Sequence, residues 1–113
     1  MRKCAISTII TEVLDMATGI TDKHGKLVSS GMGIPLFVGA VGAGVRGAIK
    51  YYADLGEDIC DGDIIMFNDP YNGGVTHLND HLILYPVFVA GKCIAWVGNI
   101  AHWGDIGGHE VGS

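Results

Sequence analysis

No stretch of this sequence carries the density of lysine and arginine that a phosphate backbone demands. Seven basic residues stand against twelve acidic ones, for a formal charge of −5, and nothing clusters the seven. Without such a patch there is no source for the counterion release that drives nucleic-acid binding, so nucleic acid is excluded as a partner. Long apolar runs are equally scarce. The longest, residues 82–89, is strand-length and contains Tyr85 and Pro86, well short of the roughly 18 residues of a membrane span. Nor do the first residues read as a secretory leader: Met1-Arg2-Lys3-Cys4 is basic, but Thr8, Thr11, Glu12 and Asp15 interrupt any apolar core behind it, and a cytoplasmic location is the expectation. The three cysteines, Cys4, Cys60 and Cys93, are odd in number and lack any Cys-x-x-Cys spacing. They are expected to be reduced thiols packed as small hydrophobes.

What the sequence does have is apolar mass and glycine. Apolar residues make up 49% and charged ones 17%, a balance that favours a packed interior over disorder. The length suits a single domain over residues 1–113. The 18 glycines, about twice the average share, gather in residues 31–47 and 104–112, which points to tight turns and close packing. A mean hydropathy of +0.36 is high for a small domain standing alone, and implies apolar area covered by a partner or by further chain.

Periodicity predicts an α+β fold with two helices packed on a mostly antiparallel, hairpin-rich sheet. Residues 2–17 read as an amphipathic helix, with Ile6, Ile9, Ile10, Val13 and Leu14 at helical spacing and Gly19 just past the end. Residues 20–22 and 26–29 flank Lys23-His24-Gly25 as a short hairpin, and a glycine-rich passage leads through residues 34–38. A second helix is expected over residues 41–55, with Val41, Val45, Ala48, Ile49 and Tyr52 along one side and Gly56 as its C-cap. Its glycines, Gly42, Gly44 and Gly47, mark places where another backbone can come close. Residues 63–67 form a strand after the Asp61-Gly62 turn. Residues 82–89 and 93–101 form the clearest hairpin, with two apolar faces that are both expected to be covered. The chain closes on a glycine-rich tail over residues 108–113, which reads like a piece cut from something longer.

That hairpin gives chemistry-bearing residues a reason to meet. With a three-residue loop at residues 90–92, Val89 faces Cys93, and counting outward along both strands brings Asp80 opposite His102. The two then share a face with their Cβ atoms about 5 Å apart. His77 lies three residues before Asp80, so it joins them only if residues 73–79 bend. Two histidines and a carboxylate with positions left open suit Zn, Mn or Fe, and such an ion polarises a carbonyl or activates water. By spacing alone the alternative stands equally: His77 and His102 as hydrogen-bonded loop-end residues, with Asp80 capping a turn. Asp105 repeats the His-x-x-Asp spacing after His102, either as a ligand in place of Asp80 or as an acceptor orienting an imidazole. Asp69, before Pro70, is a turn-former or a pocket residue. Tyr71 and Trp103 flank the site as pocket walls or as core. His81 falls on the face opposite Asp80 and is expected to be structural, whereas His24 and His109 are expected to be solvated. Gly107-Gly108 could present N–H groups to an anion.

At these residues the sequence resembles the hydantoinase B family: the B subunits of ATP-dependent N-methylhydantoinase and 5-oxoprolinase-type enzymes, and the corresponding subunits of acetone carboxylase, acetophenone carboxylase and caprolactamase. The matching pieces are Gly62-Asp63 leading to Asn68-Asp69-Pro70-Tyr71, Gly73-Gly74, Thr76-His77-x-x-Asp80, Pro86-Val87-Phe88 and Ala101-His102-x-x-Asp105-Ile106-Gly107-Gly108. Upstream, Glu12-x-x-Asp15, residues 22–28 and Ile34-Pro35 fit less specifically, so the resemblance covers nearly the whole chain. It implies a metal-dependent reaction on a small carbonyl or cyclic amide. A hydantoinase A-like partner subunit uses ATP to phosphorylate the substrate, and this subunit's divalent metal (Mn, Zn or Fe), held by His77, Asp80 and His102, completes the reaction. Hydrolysis of a cyclic amide leads, ketone carboxylation is the alternative, and a shortened, non-catalytic assembly module is a third reading. Members of this family are several times longer, so the chain is expected to be the N-terminal part of such a subunit.

Overall fold

The computed structural model describes residues 2–110; residues 111–113 of the expected tail lie outside them. After a 3-10 turn at Arg2–Cys4 come α1 (Thr8–Thr11), β1 (Met16–Asp22), β2 (Leu27–Ser30), α2 (Pro35–Leu55), β3 (Ile65–Phe67), β4 (Asp80–Val89) and β5 (Lys92–His102). The strands form one sheet in the order β2-β1-β5-β4-β3, antiparallel at every pairing. This is the expected α+β class.

The core lies between α2 and one face of the sheet. Ala17 of β1, Leu82 and Leu84 of β4, Trp96 and Ile100 of β5 and Ile65 of β3 are buried with Phe37, Val41, Val45 and Ala48 of α2. Each large side chain so buried contributes roughly 1.5–3 kcal/mol over leaving it in water. The helix can approach because Gly19 of β1 is paired with Gly98 of β5 beneath it. A Cβ on Gly98 would lie 2.6 Å from Val41 Cγ1 and 2.9 Å from Leu84 Cδ2. The helical glycines serve the same purpose: Gly44 faces Leu82, and Gly47 faces the Asn72 carbonyl, each with no room for a side chain.

Several expectations need correction. Residues 2–17 are not one helix. They hold a 3-10 turn, a single α turn and the start of β1. Four of the five stripe residues, Ile6, Ile9, Ile10 and Val13, are β-branched and favour helix weakly, and β1 gains seven paired positions against β5 instead. Ile6 and Val13 of that stripe are left exposed. The long helix begins at Pro35, not residue 41, because Pro35 occupies its first turn, where a missing N–H is harmless. It ends as expected at Gly56, in the left-handed region with φ 71°. The strand expected over residues 63–67 is confined to Ile65–Phe67. Only one face of the β4–β5 hairpin is covered by α2; on the other, Tyr85 and Val97 are exposed beside Ile20. The cysteines are free, but Cys4 and Cys60 are exposed and only Cys93 packs against the core.

The β4–β5 turn also differs. It has two residues, Ala90 and Gly91, both with positive φ (49° and 75°), as the tightest hairpins require. Val89 therefore pairs with Lys92, and Phe88 with Cys93. One extra residue on β5, Ile94, then bulges out, and from Val87–Ala95 onward the pairing runs as expected to Asp80–His102. A shorter loop and an unforeseen bulge cancel.

Candidate metal centre

Asp80 opens β4 and His102 closes β5, directly opposite each other in the ladder. Asp80 is completely buried, with Oδ1 3.3 Å from His102 Nδ1. Beyond the strand ends the ladder continues through Asn79, whose carbonyl accepts the Trp103 N–H at 2.8 Å and whose side chain donates to the Trp103 carbonyl at 3.0 Å.

His77 reaches the site because the chain bends ahead of Asp80. Gly74 takes φ 73°, which a side chain would strain, and the Asp80 N–H closes a turn on the His77 carbonyl at 3.1 Å. His77 Nε2 then lies 3.7 Å from Asp80 Oδ2, and its ring is edge-on to that of His102 at 4.9 Å between centroids. One donor atom from each of His77, Asp80 and His102 falls within 4.8 Å of the others. Ligand atoms about 2.1 Å from a shared ion stand roughly 3–4 Å apart, so a modest closing of the three side chains would seat one.

Electrostatics favours a cation here. A buried carboxylate is costly without a charged partner, and the ion-pair partners of Asp80 among the described residues are the two histidines. A second carboxylate faces the same ring: Asp15 Oδ2 is 3.8 Å from His102 Nδ1, and the Asp15 carbonyl accepts the His102 N–H at 3.0 Å. Asp15 is held there by a turn in which Leu14 adopts φ 60°, an unusual conformation for a branched side chain. Nitrogen and carboxylate donors without a thiolate suit the ions expected from the sequence. The sequence puts Asp15 inside the helix expected over residues 2–17. Only the pairing of β1 with β5, Met16 against Ala101, brings it beside His102.

The remaining candidates do not reach the three donors. Asp69 shapes the approach loop: its carbonyl accepts the Gly73 N–H, Oδ1 accepts the Tyr71 N–H and Oδ2 accepts the Asn72 side-chain amide, all at 2.8 Å. Those bonds, Asn72 first and Tyr71 next, hold its carboxyl below the ordinary carboxylate value of 3.8. Asn68 ties the other end of the loop, donating to the Leu78 carbonyl at 2.6 Å. Asp105 is exposed and accepts the Gly107 N–H at 2.7 Å, so it neither replaces Asp80 nor orients His102. Tyr71 is almost fully exposed. Trp103 stacks on the buried His81 at 3.9 Å between ring centroids. His81 Nδ1 also lies 3.2 Å from the Asn79 carbonyl oxygen. His24 and His109 are exposed. A separate apolar cleft of about 270 Å³ between α2 and β3, lined by Tyr51, Tyr52, Ile65, Met66 and Phe67, includes none of the three donors.

This layout, two imidazoles and a carboxylate converging at the end of an antiparallel sheet, defines a candidate metal-dependent enzyme segment, and comparison with known proteins supplies its kin. The family model described as Hydantoinase B/oxoprolinase matches residues 1–113, and the chain belongs to that family. It is 36% identical over its whole length to an uncharacterized protein of Methanocaldococcus jannaschii and 34% identical to 5-oxoprolinase 1 of Arabidopsis thaliana, covering 20% and 9% of those proteins. Among solved structures it resembles nucleotide-free acetone carboxylase, with TM-score 0.87, 28% identity, 99% of this chain covered and 14% of that one. The chain thus spans a fifth or less of the length of these relatives. No helix among the described residues is long and apolar enough to cross a membrane.

Proposed function

We propose that this chain is the N-terminal, metal-binding part of a hydantoinase B-like subunit that hydrolyses a cyclic amide after a partner subunit has activated it with ATP. The observation that carries the reading is the convergence of His77, Asp80 and His102. In this reading His77 Nε2, an Asp80 oxygen and His102 Nδ1 hold a divalent Mn, Zn or Fe ion, which supplies Lewis-acid polarisation of a carbonyl or phosphoryl oxygen. Asp80, fully buried, would hold the ion in place. Asp15, beside His102 and partly exposed, stands where a proton can be accepted. ATP is handled by the hydantoinase A-like partner, and the assembly is cytoplasmic.

Ketone carboxylation is the second reading, favoured by the match to acetone carboxylase. Metal analysis under replete conditions tests the site: about one equivalent is expected in the unaltered chain, and a loss of 100-fold or more in affinity in His102→Ala, of the order that removing a ligand brings. An unaltered chain that takes up no metal would leave only the assembly-module reading. With the A-like partner added, ATP-dependent ring opening against bicarbonate-dependent carboxylation then decides the reaction.

A further inference from the structure

The two oxygens of Asp80 have different surroundings. Oδ2 accepts a hydrogen bond from the Thr76 hydroxyl and a second, at 3.3 Å, from the Thr76 backbone N–H. A carboxylate oxygen has two lone pairs, and Thr76 engages both on Oδ2. His77 Nε2 lies 3.7 Å from the same oxygen, also within the spacing of neighbouring ligands, so what sets Oδ2 apart is that Thr76 already occupies it. Oδ1 instead faces His102 Nδ1 at 3.3 Å, the spacing of neighbouring ligands on one ion.

We infer that Thr76 is a positioning residue that fixes Asp80 as a one-oxygen ligand, presenting Oδ1 and withholding Oδ2. The inference rests on the metal-centre reading above and deepens it. Carboxylates bind ions through one oxygen or two, and the choice sets how many positions remain. Were an ion held by two imidazole nitrogens and one carboxylate oxygen, its other positions would stay open to substrate and water. Two-oxygen binding by Asp80 would remove one of those. Thr76 itself is exposed and its backbone N–H stays whatever the side chain, so the hydroxyl is the adjustable part.

The test compares Thr76→Val, which keeps the shape and removes the hydroxyl, with Thr76→Ser, which keeps the hydroxyl, in the full chain. Mn²⁺ affinity is read by calorimetry and the coordination of substituted Co²⁺ by its visible absorption, with circular dichroism confirming the fold. Thr76→Val is expected to weaken Mn²⁺ by about 10-fold or more and to change the Co²⁺ bands, the effect of removing a group that orients a ligand. Thr76→Ser is expected to keep both wild-type properties. Thr76→Val with unchanged affinity and spectrum overturns the inference, and so does equal loss in both variants, which would assign the effect to the loop. The unaltered chain separates this failure from a larger one: metal uptake there with no response to Thr76→Val sinks only the role of Thr76, whereas no uptake at all sinks the metal centre with it.

Discussion

At its turn the β4–β5 hairpin exposes Val89 and Ile94 and closes through two left-handed residues, whereas at its open end it buries Asp80 and brings three ligand-type side chains together. The turn end has an extra residue, Ile94, and nothing packed around Gly91 that a side chain would strike. The site end has no such slack. There Asn79 and Trp103 exchange hydrogen bonds, and Gly74 presses on Ala43 of α2, where a Cβ would lie 2.5 Å away. One hairpin thus absorbs irregularity at one end and spends it on exact side-chain placement at the other.

The same change made at both ends should break this contrast open. An alanine inserted between Gly98 and Asn99 shifts β5 by one residue, turning Ile100 out of the core and His102 away from Asp80, since side chains alternate along a strand. Loss of metal binding and of cooperative melting is expected. The same insertion after Gly91 is expected to lower Tm by only a few degrees and to leave metal affinity unchanged, both checked by calorimetry. Equal damage from the two insertions would refute the contrast.

Glycine replacement sharpens the comparison at smaller scale. Gly91→Ala meets open space and costs about 1 kcal/mol for its positive φ. Gly74→Ala adds a clash with Ala43 to the same strain and is expected to cost about 2–4 kcal/mol in urea denaturation. It should also weaken metal binding, because the bend that delivers His77 is disturbed.

The smallest effect belongs to Asp69. Its carboxyl titrates below the ordinary 3.8 because Asn72 and Tyr71 hold its charged form. Its contribution is therefore complete above the unfolded value and is lost as pH falls through the lower folded one. Asp69→Asn should flatten the acid limb of the urea midpoint measured from about pH 5 down to pH 2 and leave pH 7 little changed.

The meeting of Asp80 and His102 was legible in the sequence because the turn joining β4 and β5 is short and the register can be counted outward from it. The route was imperfect: the loop was counted as three residues, one too many, and the bulge at Ile94 restored the register. Bulges leave no local signature in a run as uniformly apolar as this one. The first strand was legible only at its end, where residues 20–22 read as half of a hairpin with residues 26–29. Residues 16–18 are paired with β5 alone, across most of the chain, and nothing among their neighbours in sequence announces that partner. Asp15 was lost with them. The start of α2 is signalled by Pro35 but was read into a glycine-rich passage; of the glycines that follow, Gly42 meets Gly25, and Gly44 and Gly47 meet the chain at residues 72 and 73. The class of fold was thus readable from local pattern, and the three site candidates from the hairpin register together with the family resemblance, while the second carboxylate, Asp15, required long-range pairing.

The central place of β5 between β4 and β1 has a consequence for the order in which the site assembles. His102 meets Asp80 across 22 residues of chain, but meets Asp15 across roughly four times as many, and each doubling of a loop adds about 0.6 kcal/mol to the cost of closing it. Hairpins form in about 1–10 μs, well before a strand recruited from so far away. The β4–β5 hairpin, with His77 three residues ahead of Asp80, thus needs only nearby chain to bring the three candidate donors together, whereas the Asp15 carboxylate needs β1 to dock.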